Sequence, residues 1–304
     1  MCIRVLLPLF LVGLVQSPSM AEDLPLLGLA HVGIRVSDLE KSRAFYRDLL
    51  GYEEAFDTKK PDGSVAVAFF KVNDHQFIEL FPGLPVDQVV PMTHVAMYTD
   101  DIQKLQKMLE DRGVKVGPIN KGPRDGNLSC GIRELPGQNL KFLEFVQYLP
   151  DSLHSKAVGK FLGPKRISTH LEHVGIIATD YEAARKFYVE KLGFRETWSR
   201  KQENGQPLLL HLRMPGPSGD YVELSNKPKP IQRAVAGMAA HFSLTVPDIK
   251  VAYQLTLDRG ATKDRKEPRF GLDQRWQFNL FDPDGTRAEC MQPKAGSGKE
   301  TKEP

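Results

Sequence analysis

The sequence predicts an α+β protein made of four copies of one strand–helix–strands module. Three observations carry that prediction. Segments with apolar residues at every second position recur along the chain, each followed by a capping residue and a stretch with apolar positions at helical spacing. A histidine in the opening strand of each copy precedes a glutamate in its last strand by 48, 50, 50 and 48 residues (31→79, 94→144, 173→223 and 241→289). Copies one and three share a Phe-Tyr…Leu-Gly-aromatic helix end (Phe45-Tyr46 with Leu50-Gly51-Tyr52, Phe187-Tyr188 with Leu192-Gly193-Phe194), whereas copies two and four end on Arg-Gly. That ABAB order reads as a duplicated two-module half.

Residues 1–21 stand apart from the modules. Arg4, the apolar run Val5 to Val15 and Ser19-Met20-Ala21 have the layout of a cleavable secretory leader whose apolar part is too short to span a membrane. The expectation is a secreted or periplasmic protein, cut after Ala21 and free of the membrane thereafter. The 304 residues allow about two domains, each with a real core. A net charge of +3 with dispersed Lys and Arg speaks against a nucleic-acid partner. Past the leader only Cys130 and Cys290 remain, either as free thiols or as a pair that sequence alone does not decide.

Module one (25–83) opens on the alternating strand Leu29 to Val36. Ser37 and Asp38 can cap a helix with apolar positions Leu39, Phe45, Leu49 and Leu50, which Gly51 stops. Val65 to Val72 and Gln76 to Phe81 read as strands around an Asn73-Asp74 turn. Module two (92–148) runs from the strand Thr93 to Tyr98, through a helix capped by Thr99-Asp100-Asp101 and ended by Arg112-Gly113, to the strand Leu140 to Val146. Residues 149–168, with Pro150, Gly159, Gly163 and Pro164, read as the linker between halves. Module three (169–226) has the strand Leu171 to Ala178, the helix Glu182 to Leu192 and the strand at Glu223-Leu224. Module four (238–292) has the strand His241 to Val246, a helix from Pro247-Asp248 to Arg259-Gly260 and a last strand holding Arg287 to Met291. The polar tail 293–304 is expected to be disordered.

The recurring His and Glu carry the chemistry. Alternation puts His173 with Gly175 on one strand face, and Tyr221, Glu223 and Ser225 together on another. A neutral imidazole nitrogen with a carboxylate oxygen suits Zn, Ni, Co, Mn or Fe(II). One histidine on a strand is more often a hydrogen-bonded core or surface residue, and one glutamate an exposed edge residue. Here four of eight histidines and four glutamates recur in register, and a carboxylate among Phe and Val is costly to bury without a partner. His31, Glu79, His94, Glu144, His173, Glu223, His241 and Glu289 are therefore the candidate metal ligands. Two His and two Glu leave coordination positions open, the mark of a catalytic site. His75, His154, His170 and His211 lie outside the repeat. His75 and His154 read as turn or linker residues, and His211, between Leu210 and Leu212, as structural, with the cleft face as its alternative.

On these residues the chain resembles the vicinal oxygen chelate superfamily, which includes glyoxalase I, extradiol ring-cleaving dioxygenases, methylmalonyl-CoA epimerase and antibiotic-resistance binding proteins. The resemblance spans 25–292. It rests on the opening strands around His31, His94, His173 and His241, the Phe-Tyr…Leu-Gly helix ends, and the Asp282-Pro283-Asp284-Gly285 turn before Glu289. It implies four βαβββ modules, paired into two clefts with a divalent metal at each base and the eight residues above as ligands. Modules pair as one–two and three–four, or as one–four and two–three. By period-two alternation Arg35, Tyr98, Tyr221 and Arg287 share the ligands' faces; they are candidate substrate contacts, or else surface residues near strand ends.

The superfamily's chemistry implies a small-molecule substrate whose adjacent oxygens bind the metal, and a monomer or homodimer. The His-Glu-His-Glu set is similar to the glyoxalase branch, in which a glutamate moves a proton between adjacent carbons; Glu144 and Glu289 are the catalytic candidates by that resemblance. An extradiol dioxygenase using Fe(II) at His173, His241 and Glu289 is the alternative. It lacks support at Asn279, where that signature has a tyrosine, and Glu223 adds a fourth ligand. A protein that sequesters a small molecule without turnover is the third reading.

Overall fold

The computed structural model describes residues 22–227, 229–262 and 267–294; the expected leader (1–21) and residues 295–304 of the expected tail lie outside the described residues. Each module's opening strand leads into an Asp-capped helix. Strands β1 (Gly28–Val36), β5 (Met92–Tyr98), β9 (Leu171–Ala178) and β13 (His241–Thr245) precede helices α1 (Leu39–Ala44), α2 (Ile102–Asp111), α4 (Tyr181–Lys186) and α6 (Ile249–Asp258). Asp38, Asp101, Asp180 and Asp248 cap them by accepting backbone N–H bonds in the first turn. Gly51, Gly113, Gly193 and Gly260 end them at φ +79°, +71°, +74° and +89°, a backbone state that side chains resist. The α1 and α4 helices each run on into one π turn, Phe45–Leu49 and Phe187–Lys191.

The remaining strands complete two sheets of eight. The first half has β2 (Glu54–Lys59), β3 (Val65–Lys71), β4 (Phe77–Pro82), β6 (Asn120–Lys121), β7 (Leu128–Ile132) and β8 (Phe142–Gln147). The second has β10 (Arg195–Lys201), β11 (Pro207–Arg213), β12 (Tyr221–Asn226), β14 (Arg269–Phe270), β15 (Trp276–Phe281) and β16 (Arg287–Met291). The strand orders are β2-β3-β4-β1-β5-β8-β7-β6 and β10-β11-β12-β9-β13-β16-β15-β14. The opening strands of modules one and two therefore pair at the centre of one sheet, and those of three and four at the centre of the other. That resolves the pairing left open by the repeat. It is one–two and three–four.

The shared Phe-Tyr motif joins the halves. Tyr46 is fully buried and donates to Asp282 Oδ2 (3.1 Å) in the Asp-Pro-Asp-Gly turn of module four; Tyr188, its counterpart, donates to Gln138 Oε1 (3.0 Å) of module two. Burial pushes the Asp282 carboxyl up to about 6, against the hydrogen bonds it accepts from Thr286 N–H and Tyr46. Leu29 N–H also crosses the joint to Asp220 Oδ2 (2.8 Å).

The stretch expected as a plain linker is bound to the first half. It carries helix α3 (Leu153–Lys156), and the buried Lys71 amine holds it by donating to the carbonyls of Ala157 and Lys160 while pairing with Asp74. Gly159 N–H donates to the same Asp74 carboxylate (2.9 Å). Helix α5 (Arg233–Ala239) leads into β13. Cys130 and Cys290 are both free and buried. Among the described residues no helix is long and apolar enough to cross a membrane.

Candidate metal centres and the second-half cavity

In each half the four candidate ligands sit on the four central strands, and register brings them together. Gly33 on β1 pairs with Glu79 on one side and His94 on the other; Ala96 on β5 pairs with His31 and with Glu144. In the second sheet Gly175 lies between Glu223 and His241, and Ser243 between His173 and Glu289. The ligands thus surround two small residues. A Cβ on Gly33 would meet the His94 ring at 1.9 Å, and one on Gly175 the His241 ring at 2.0 Å, so the rings need glycine there.

The first set places His31 Nδ1 3.4 Å from Glu79 and His31 Nε2 3.3 Å from Glu144, with His94 Nε2 3.7 Å from both carboxylates. Thr93 Oγ1 lies 3.1 Å from His94 Nδ1 and aims the ring. Burial pushes Glu79 up to about 8. For Glu144 the hydrogen bond from His31 and the charges of His31 and His94 outweigh burial and hold the carboxyl at about 2.

The second set is tighter. His173 Nε2 lies 3.0 Å from His241 Nε2, and each is 3.3 Å from Glu289 Oε2. Glu223 stands back: Oε1 is 3.9 Å from His241 and Oε2 is 3.1 Å from His211 Nε2. Burial raises the Glu223 carboxyl, but His211 and the charges of His241 and His173 outweigh it and hold it at about 2. Arg287, with His173 and His241, overcomes burial to hold Glu289 well below the usual carboxylate range, and burial with Arg287 lowers His241. His241 Nδ1 faces the Ala239 carbonyl at 3.1 Å, fixing its ring.

These donor sets fit a divalent ion. In each half two His and one Glu (His31, His94, Glu144; His173, His241, Glu289) bring ligand atoms within 4.8 Å of one another. Two imidazole nitrogens and a carboxylate oxygen converging in a buried space are arranged as a cation would need them.

What surrounds the sets differs. Over the second, a cavity of about 570 Å³ is lined by His211, Glu223, Arg287 and Glu289, with Trp198, Ser225 and Met238 on its walls. That is the size of a small-molecule site. At the register-equivalent places the first half carries Phe56 for Trp198, Phe69 for His211, Phe81 for Ser225 and Phe142 for Arg287. His154 from α3 packs edge-on against Phe56, Phe69 and Phe77 and stacks on Tyr148 (4.7 Å). Burial, with the charge of His31, lowers His154 to about 3, so it is a neutral packing group.

The other candidates fall unevenly. Arg287 lines the cavity. Tyr221 stacks on His173 at 4.4 Å, with Arg275 Nη1 3.4 Å from its hydroxyl. Arg35 and Tyr98, also expected at a substrate, belong to the first half: Arg35 reaches the Gly83 carbonyl, and Tyr98 stacks between His75 and Tyr148. Neither lines the second-half cavity. His211 does line it, against its structural reading from sequence. Its signal was present in the alternation of Leu210-His211-Leu212, but only the β11–β12 register sets it opposite Glu223.

Residues 30–132 and 170–290 each match the profile described as the Glyoxalase/Bleomycin resistance protein/Dioxygenase superfamily. The chain is 34% identical over 120 residues to the uncharacterized protein YwkD of Bacillus subtilis, covering 38% of this chain and 89% of that one. It is 33% identical over 104 residues to a probable lactoylglutathione lyase of Synechocystis, covering 31% and 79%. Its fold is similar to that of an extradiol ring-cleaving dioxygenase from B. fuscum, with a TM-score of 0.65 at 20% identity over 90% of this chain and 73% of the other.

Proposed function

The chain belongs to the glyoxalase/bleomycin resistance protein/dioxygenase superfamily, and from that premise we propose that it is a divalent-metal-dependent enzyme that moves a proton between adjacent carbons of a small substrate with vicinal oxygens. One observation carries the proposal: His173, His241 and Glu289 converge in the second half, and Glu289 joins Glu223, His211 and Arg287 in lining the cavity beside them. His173, His241 and Glu289 would hold the ion. When bound, the ion supplies Lewis acidity to the substrate's two oxygens. Glu289 was the base expected from resemblance in this half, but Arg287 Nη1 engages its Oε1 (3.0 Å) and the histidines face its Oε2. Glu223 has a looser hold and faces the cavity. It takes the proton from one carbon at Oε2, which His211 Nε2 positions, and returns it to the adjacent carbon, so the carboxylate is regenerated. Arg287 steadies negative charge that grows on the substrate. The first half keeps its ligand set (with Glu144 as the expected base) and has a cavity of about 460 Å³ beside Ser129, Gly131 and Phe142, but phenylalanines stand where the second half has Trp198, His211, Ser225 and Arg287, so turnover is assigned to the second half, whose cavity carries the polar groups.

The test is solvent exchange. Protein with its metal content measured is incubated in D2O with α-hydroxyketones and with the glutathione adduct of a 2-oxoaldehyde, and proton NMR follows the carbon-bound hydrogens. Metal-dependent deuterium incorporation supports the proposal; none with any substrate, on protein holding metal, removes it. A second reading has its own support, because the tightest ligand trio is two His and one Glu, the set that suits non-haem Fe(II). Oxygen uptake with catechols by the Fe(II)-loaded protein would establish ring cleavage instead. A binder without turnover would hold a ligand with or without metal and release it unchanged. Export by the leader 1–21 belongs to the same proposal, supported by its basic–apolar–small layout, and N-terminal sequencing of protein recovered outside the cytoplasm checks it.

A further inference from the structure

A histidine ring in the first half shows what a smaller cavity in the second half is shaped to hold. His154 is 1% exposed. Phe56, Phe69 and Phe77 meet its ring edge-on at 5.0, 5.3 and 4.6 Å, and Tyr148 stacks on its face. Asn127 Nδ2 donates both to the ring's Nδ1 (2.8 Å) and to Asp125 (3.1 Å).

Strand register carries each of these places into the second sheet. Trp198 stands for Phe56, His211 for Phe69 and Tyr221 for Phe77. Counted back from the paired residues of β7–β8 and β15–β16, Arg275 stands for Asn127 and Asp273 for Asp125. The residue between them has positive φ in both halves, +83° at Gly126 and +64° at Gln274, so the correspondence is one of conformation as well as of count. Pro293 stands for Tyr148, each four residues past its strand's glutamate.

In the second half all of these residues line one cavity of about 310 Å³. Trp198, His211 and Asp273 also border the larger cavity, whereas Tyr221 and Arg275 line only the smaller one and Glu223, Arg287 and Glu289 only the larger. The walls are aromatic and one edge donates hydrogen bonds. Arg275 Nη2 pairs with Glu172 (2.7 Å) and Nε with the Gln292 carbonyl (3.2 Å). Its Nη1 carries two N–H groups and meets the Tyr221 hydroxyl loosely, at 3.4 Å. Flat walls with a donor at one edge suit an aromatic ring that bears an acceptor.

We infer that this cavity is a separate ligand site for a flat nitrogen heterocycle of one or two rings. Its acceptor nitrogen faces Arg275 as His154 Nδ1 faces Asn127. The inference goes beyond the metal-dependent reading and needs no ion. Because His211 borders both cavities, an occupant here also steadies the ring that holds Glu223.

Indole N–H signals of the ¹⁵N-labelled protein test this, since the chain's two tryptophans are Trp198 and Trp276 and only Trp198 lines the cavity. The protein is used metal-loaded and metal-stripped, with metal content measured, to tell a ring in the cavity from one bound to an ion. The probe is 4-methylimidazole, the ring of the histidine side chain, at about pH 9 where it is neutral. Pyrrole keeps the flat ring without the acceptor nitrogen, and cyclopentanol keeps an acceptor without the flat ring. 4-Methylimidazole is expected to shift the Trp198 signal in both preparations and to bind about tenfold or more tighter than either comparator. Arg275→Met should erase its advantage over pyrrole, and Arg275→Lys should keep part of it. A shift confined to metal-loaded protein gives the ring to the ion, which overturns this inference and leaves the metal-dependent reading standing. Equal binding of 4-methylimidazole and pyrrole by the wild type also overturns it, as does a preference that survives Arg275→Met or the absence of any shift.

Discussion

The first and second halves share a sheet order, helix caps, glycine stops and ligand positions, yet they surround those ligands in opposite ways. Phe56, Phe69, Phe81 and Phe142 of the first become Trp198, His211, Ser225 and Arg287 of the second. The first half also receives a strap, α3, pinned by Lys71 and Asp74, whose His154 fills the space among the phenylalanines. Duplication supplied two equivalent floors. The side chains around them, and one connecting segment, decide whether a floor is ringed by aromatic or by polar groups. The ligand residues alone therefore do not distinguish the halves; the side chains around them do.

The largest expected effect breaks the pair at its ligands. His241→Ala should remove one metal ion and lower turnover by on the order of 10³-fold, whereas His94→Ala should remove the other ion and change turnover by less than about threefold. Elemental analysis with rate measurements on both variants decides it; a comparable rate loss in both makes the halves equal. Next is packing. Phe77 is fully buried against His154 in the first half, so Phe77→Ala should cost about 3–5 kcal/mol in denaturant unfolding while sparing turnover. A lost rate without lost stability would move function into the first half.

The joint between halves is asymmetric as well, because Tyr46 meets an ionisable Asp282 where Tyr188 meets Gln138. Burial lifts the Asp282 carboxyl from 3.8 to about 6 in the folded protein, so its stabilising protonated form is fully present below about pH 4 and lost as pH rises through 6. Asp282→Asn should gain on wild type by on the order of 2 kcal/mol between pH 4 and 7, read as the difference in unfolding free energy. Gln138→Asn should show no such drift. The smallest effect is at Tyr221, whose hydroxyl has Arg275 at 3.4 Å: Tyr221→Phe should cost less than about 1 kcal/mol of stability, since the ring keeps its stack on His173.

Much of this was legible in the sequence because it is local. Asp before a helix and Gly after it follow from short-range geometry, and the histidine at the same place in four strands with a glutamate 48 or 50 residues on follows from the repeat. What escaped was set by tertiary packing. Strands β2 and β10 are edge strands with little burial, so neither shows a clean alternation. The linker's Pro and Gly disguised α3, and nothing in its sequence places His154 against phenylalanines 77 to 98 residues away. Period two assigned Arg35 and Tyr98 to the right faces, but not to an open one. His211 lies outside the repeat, and that departure from Phe69 is part of what distinguishes the second half. The module pairing needed the sheet order itself.

The most direct test compares the two glutamates that stand back from each ligand trio. Wild type, Glu79→Gln and Glu223→Gln, each with its metal content measured, are followed by NMR for deuterium incorporation into the same exchanging substrate. Glu79→Gln should exchange at a near-wild-type rate, and Glu223→Gln should lose about 10²–10⁴-fold with metal retained. Equal losses in the two variants, or a loss confined to Glu79→Gln, would contradict the assignment of turnover to the second half.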